Sequence, residues 1–152
     1  MTIAFRVNGV EERFDCSPGD MLSDLLRSAG HVEVKKGCGT GNCGACTVLL
    51  DGKPILSCSF LALRAEGREV TTVRGIEEEA AVYAAFVTAE GADQCGFCGP
   101  GLALAVHALR SEKRHPSEEE IRSYLAGNLC RCSGYAGQLR AIAKYLEAAD
   151  AE

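Results

Sequence analysis

Cys38-Gly39-Thr40-Gly41-Asn42-Cys43-Gly44-Ala45-Cys46 sets three thiols in one glycine-rich loop, with four and then two residues between them. C-x4-C-x2-C followed by a distant fourth cysteine, here Cys58, is a ligand spacing for a 2Fe-2S cluster. Gly37, Gly39, Gly41 and Gly44 fit that reading. A loop that wraps an anionic cluster needs close backbone approach and backbone angles that a Cβ forbids. Its amides can then donate to the cluster sulfurs and help set the potential. Gly39 to Gly44 also fits the nucleotide pattern G-x-G-x-x-G, but that fingerprint requires a preceding strand and an immediately following helix. The interleaved cysteines and the β-branched Thr47-Val48 argue against it. A structural zinc site, whose knuckles pair cysteines two to four residues apart, is the weaker alternative.

Around this loop the first half alternates strand and turn. Thr2 to Val7 alternates apolar and polar residues, Asn8-Gly9 is a favoured two-residue turn, and Val10 to Cys16 resumes as a strand, so a hairpin is expected. Asp20 to Leu26 carries apolar residues at helical spacing and stops near Gly30. Thr47 to Leu50 predicts a strand closed by an Asp51-Gly52 turn, and Glu69 to Val73 predicts another. Strands around one helix suggest a small grasp-like α+β unit.

The character changes near Gly75. Ile76 to Ala89 predicts an alanine-rich helix whose Glu77-Glu78-Glu79 is a negative cluster at its N-terminus. Pro100 sits where a first-turn proline opens a helix through Leu109. Ser117-Glu118-Glu119-Glu120 is a capping box that starts a third helix. Gln138 to Ala149 gives the fourth, and four short helices joined by loops make a compact bundle. Two of those loops hold Cys95-Gly96-Phe97-Cys98 and Cys130-Arg131-Cys132, at expected helix N-termini, where unpaired amides and the positive dipole end favour thiolates. By spacing alone these two pairs remain open between zinc and iron-sulfur.

Composition limits the alternatives. The chain has 152 residues, nine of them cysteine, and a formal net charge of -5, which gives no basic field to hold nucleic acid. The N-terminus lacks the basic start and apolar stretch of a signal peptide, and no apolar run is long enough for membrane insertion. A soluble, cytoplasmic protein is the expectation, and in that compartment clustered thiols point to metal rather than disulfides. Cys16, away from both constellations, reads as core packing. His31, His107 and His115 have no ligand-like spacing and read as structural or surface residues. Arg131 reads equally as a group that softens cluster charge or one that pairs with a partner.

Lys36-Gly37-Cys38 through Cys46, Gln94-Cys95-Gly96-Phe97-Cys98-Gly99-Pro100-Gly101, and Gly127-Asn128-Leu129-Cys130-Arg131-Cys132-Ser133-Gly134-Tyr135 follow one another in an order that resembles the iron-sulfur subunit of molybdenum hydroxylases, the xanthine dehydrogenase and aldehyde oxidoreductase family, with carbon monoxide dehydrogenase among its members. The likeness covers nearly the whole chain. It implies an α+β chain: an N-terminal β-grasp, plant-type ferredoxin-like domain over residues 1–76, then a C-terminal four-helix bundle domain over 77–152. One 2Fe-2S cluster would sit on Cys38, Cys43, Cys46 and Cys58, and a second on Cys95, Cys98, Cys130 and Cys132. The resemblance further implies a large molybdenum-pterin subunit, a medium FAD subunit and a dimer of heterotrimers. This chain would then be the non-catalytic electron-transfer subunit of an oxidoreductase, with electrons passing from molybdenum through the helical-domain cluster and the ferredoxin-like cluster to flavin. Gln94 and Cys132 would lie against the pterin, and Cys43 toward the flavin. Gly99 and Ser133 depart from the threonine common in the family, and Gln138 from an apolar residue.

Overall fold

The structure, a computed structural model, describes residues 1–150. β1 (Thr2–Val7) and β2 (Val10–Asp15) pair antiparallel. The turn between them places Asn8 and Gly9 at φ 53° and 82°, the two left-handed positions that an Asn-Gly hairpin turn requires. α1 (Leu22–Ser28) follows and buries Leu22, Leu25 and Leu26 against the sheet. β3 (Thr47–Leu50) and β4 (Lys53–Leu56) form a second hairpin, again through a left-handed pair, Asp51 and Gly52. β5 (Glu69–Thr71) inserts parallel to β1 and antiparallel to β3, giving the sheet order β2-β1-β5-β3-β4. β4 is an edge strand, which is where its Pro54 is tolerated.

The sequence extends β5 to Val73, but the strand ends two residues earlier. Thr72 turns out of the ladder because its N–H donates to the Asn8 side chain at 2.8 Å and its hydroxyl donates to Glu33 at 2.8 Å. A short 3-10 turn, Val73–Ile76, then leads into the helices. These are α2 (Glu77–Ala89), α3 (Gly99–Glu112), α4 (Glu118–Tyr124) and α5 (Ala136–Asp150). α2 opens on Glu77, Glu78 and Glu79, and α3 carries proline in its first turn. Ser117 and Glu120 close the capping box of α4 in both directions. α3 continues past Leu109 to Glu112, and α5 starts two residues ahead of Gln138. Among the described residues no helix is long and apolar enough to cross a membrane.

Two apolar cores result. Phe5 stacks on Phe14 with ring centroids 4.3 Å apart under the sheet, while Tyr83, Leu109, Ile142 and Tyr145 anchor the helices. β3 joins the two cores because all four of its residues are buried. Val48 and Leu50 belong to the sheet core, whereas Leu49 meets Leu104 and Ala108 of α3 together with Ile76. A strand covered on both faces loses the polar alternation of a solvated one, which is why Thr47-Val48-Leu49-Leu50 reads as a nearly continuous apolar run.

α3 also approaches the first cysteine loop as closely as a helix can. A Cβ on Gly101 would stand 2.4 Å from the Gly44 carbonyl, and a Cβ on Gly44 would stand 2.4 Å from the Gly127 carbonyl. Gly101→Ala is therefore expected to force the halves apart and cost about 1–3 kcal/mol, the usual range for overpacking. Gly19→Ala, where a Cβ meets nothing within 4 Å, serves as the control. Equal denaturant midpoints for the two variants would refute the close fit.

Candidate metal centre

The loop from Gly37 to Cys46 curls so that its amides point at its own sulfurs. Cys38 Sγ accepts from the N–H groups of Thr40, Asn42 and Cys43 at 3.3–3.4 Å, and Cys43 Sγ accepts from the Cys38 N–H at 3.4 Å. Gly39 and Gly41 make this possible at φ 66° and 75°. Gly37 serves differently, since a Cβ there would stand 2.8 Å from Cys43 Sγ. The Thr40 hydroxyl and then the amides draw the Cys38 thiol down to about 5. Cys46 and Cys58 lie together in the buried floor of the site, where desolvation first, and the neighbouring Cys58 thiol as a smaller contribution, push Cys46 up to about 11. Cys58 arrives on a single 3-10 turn, Ser57–Ser59, and Ser57 ties that turn down by donating its hydroxyl to the Cys46 carbonyl at 2.6 Å.

The second set assembles from two segments. Cys98 is the residue before the first turn of α3, Cys95 lies just ahead of it, and Cys130 and Cys132 come from the loop that precedes α5. Cys132 Sγ stands 3.5 Å from Cys95 Sγ, and Cys98 and Cys130 are close enough for each thiol to act on the other's ionisation. The helix-terminus argument predicts a lowered pKa at every thiol here, and the structure divides them. Burial, with the Cys130 contact second, pushes Cys98 up to about 11. Burial also works against Cys130, but the Ser133 hydroxyl and amide outweigh it and bring that thiol to about 7. The Phe97 amide lowers Cys95, and the contact with Cys95 raises Cys132. Each pair so holds one sulfur toward the thiolate and one toward the thiol. Metal loading releases the retained protons.

This donor chemistry fits an iron-sulfur group. Two sets of four thiols, with the Cys95 and Cys132 sulfurs 3.5 Å apart, are the donors such a group would take. Backbone amides aimed at sulfur suit an anionic cluster.

The two loops touch. The Leu129 N–H donates to the Cys43 carbonyl at 2.9 Å, and the Asn128 side chain lies 3.4 Å from both the Gly44 carbonyl and the Thr47 hydroxyl. Gln94 donates to the Cys132 carbonyl at 3.1 Å, which brings together the two residues singled out for a pterin contact, both of them exposed. Cys43 is half-buried with its main chain turned toward the helices, and Cys38 is the exposed thiol of its loop. Cys16 lies in the sheet core, as expected of packing. His31 sits between Glu12 and Glu33 at 3.0 and 3.6 Å, in a polar cluster well within the first half. Sequence reading missed the Tyr135 hydroxyl, which accepts the Cys130 N–H at 3.0 Å. The only available signal was its place beside Cys132-Ser133-Gly134.

Comparison with known proteins agrees with this geometry. Residues 5–73 match the 2Fe-2S iron-sulfur cluster binding domain and residues 72–143 the 2Fe-2S binding domain. The chain is 46% identical over 140 residues to the xanthine dehydrogenase iron-sulfur-binding subunit of Escherichia coli O157:H7, covering 89% of this chain and 87% of that protein. It is 39% identical to the aldehyde oxidoreductase of Megalodesulfovibrio gigas over 85% of this chain but only 15% of that longer one. The crystal structure of quinoline 2-oxidoreductase from Pseudomonas putida 86 superposes with a TM-score of 0.90 at 37% identity, covering 99% of this chain and 96% of that chain.

Tyr135→Phe removes the acceptor of the Cys130 amide and leaves the apolar ring. With a net hydrogen bond worth about 1 kcal/mol, iron held by the helical half should escape to a chelator about three- to fivefold faster. Iron in the first loop should keep its rate. Unchanged release from both would deny the hydroxyl any part in holding the loop.

Proposed function

The chain belongs to the 2Fe-2S iron-sulfur subunits of the molybdenum hydroxylase family, and we propose that it relays electrons from a molybdenum-pterin cofactor to FAD, both carried by partner subunits. In this reading residues 1–76 form a ferredoxin-like domain whose cluster is held by Cys38, Cys43, Cys46 and Cys58. Residues 77–152 form a four-helix bundle whose cluster is held by Cys95, Cys98, Cys130 and Cys132. Each cluster, when bound, takes up and gives back one electron while no bond of the protein is made or broken. The partners are a large molybdenum subunit and a medium flavin subunit, assembled as a dimer of heterotrimers in the cytoplasm.

One contact carries the proposal. Cys43, a ligand of the first set, accepts through its carbonyl the N–H of Leu129, the residue that precedes Cys130 of the second set. A single hydrogen bond in an otherwise covalent path joins the two sets, and a free-standing carrier with one cluster has no use for it. Entry belongs at the exposed Gln94 and Cys132, where the amide of Gln94 fixes the Cys132 main chain and supports the pterin-facing role of both. Exit belongs on the first cysteine loop, with Cys43 toward the flavin and Cys38 the exposed thiol of that loop. Buried Cys46 and Cys58 keep water from the floor of that site.

The test is electron paramagnetic resonance of the anaerobically reduced chain with spins counted. Two distinct 2Fe-2S signals of roughly equal intensity are expected per chain, and none from intact, metal-loaded protein would return the sites to zinc. Cys130→Ser should abolish or strongly alter one signal and leave the other. Loss of both from a folded chain would contradict separate sites.

A further inference from the structure

Two buried polar side chains face the second cysteine set without belonging to it. Gln138, on the first turns of α5, is only 5% exposed and points its amide N–H at Cys98 Sγ, 3.9 Å away. Tyr83, from the middle of α2, is also 5% exposed, and its ring packs edge-on against Tyr145 at 5.5 Å between centroids. Its hydroxyl is buried with no hydrogen-bond partner. Burial pushes that phenol well above its ordinary range, and the nearby Cys98 adds to the effect, so the proton stays on oxygen. Both residues line a cavity of about 300 Å³ together with Cys95, Cys98, Cys130 and Cys132.

A phenol left dry and unpaired is costly. Tyr83 is such a group, and Gln138, from a different helix, already sends its amide to Cys98 in the same sulfur-lined cavity, so an acceptor is called for there. The Cys98 side of an anionic cluster would supply one, since Gln138 is directed at Cys98 and Tyr83 lines the same cavity.

We infer that Tyr83 and Gln138 are a pair of buried donors that set the reduction potential of the second cluster, raising it above the value that apolar side chains would give. This rests on the reading that the four helical-half cysteines hold a 2Fe-2S cluster. One-electron reduction adds a full negative charge, which spreads over iron, sulfide and thiolate sulfur. A hydroxyl and an amide donating to those sulfurs would stabilise the reduced form more than the oxidised form. No proton moves, since Tyr83 and Gln138 keep theirs in both states. The raised potential draws the electron in from the entry side at Gln94 and Cys132, and it does so from within the chain rather than through a partner's residues.

The experiment is a redox titration, followed by paramagnetic resonance, of the full chain with its clusters loaded, comparing wild type with Gln138→Met and Tyr83→Phe. Each variant keeps the shape and removes one donor. The signal that Cys130→Ser abolishes should titrate at a more negative potential in each variant, by up to about tenfold in its one-electron equilibrium, which is about 59 mV. The other signal should stay where it is and serve as an internal reference, and the shift should be the same at pH 6.5 and 8.5. An unmoved midpoint in either variant overturns the pair, as does equal movement of both signals, which would mark a global disturbance. Absence of a second signal in wild type would instead take down the two-cluster reading, and this inference with it.

Discussion

The tightest constraint in the molecule is the meeting of three backbones where the cysteine loop touches the helices. Gly44 is held between the 127–129 segment and α3, with carbonyl oxygens where a side chain on Gly44 or Gly101 would have to go. Everything that gives the sites their relation follows from it. Leu129 reaches the Cys43 carbonyl because the segment lies in contact with Gly44, and Asn128 spans from Gly44 to Thr47 for the same reason. A contact built from main chain is rigid, since no rotamer can relax it. It holds two cysteine sets from different halves at a fixed spacing, and spacing is what an electron relay must control.

Electrostatics then distinguishes the two sets. The first is open at Cys38, whose sulfur collects three amides and is held as thiolate, and closed at Cys46, whose sulfur is held as thiol by burial. The second divides the same way within each touching pair. A helix N-terminus alone does not lower a thiol when desolvation and a second sulfur act against it, and Cys98 shows burial winning at the very start of α3. Ser133 explains why its partner Cys130 goes the other way, supplying both a hydroxyl and an amide.

Much of the fold was legible because local chemistry decided it. Asn8-Gly9 and Asp51-Gly52 could adopt few other conformations between alternating strands, and Ser117 with Glu120 announces a helix start by itself. The C-x4-C-x2-C spacing with Cys58 pointed to a 2Fe-2S ligand set, whereas the helical-half pairs stayed open between zinc and iron-sulfur by spacing and were named only by the family resemblance. What could not be read is whatever depends on two distant segments meeting. Gly44 has a complete explanation as a loop-wrapping glycine, so its second role under α3 left no trace in the pattern. β5 stops short because Asn8, sixty-four residues away, captures Thr72. Tyr83 looks like any aromatic on a helix core face, and only its unpartnered hydroxyl reveals another use.

β3 ties the halves together in a further sense. With Val48 and Leu50 sealed on one side and Leu49 sealed by α3 on the other, neither half can be cut away without stripping an apolar face from a central strand. Divided by sequence motif, the chain nonetheless shares one strand between its two cores, so a loss of packing on either face of β3 is felt by both halves.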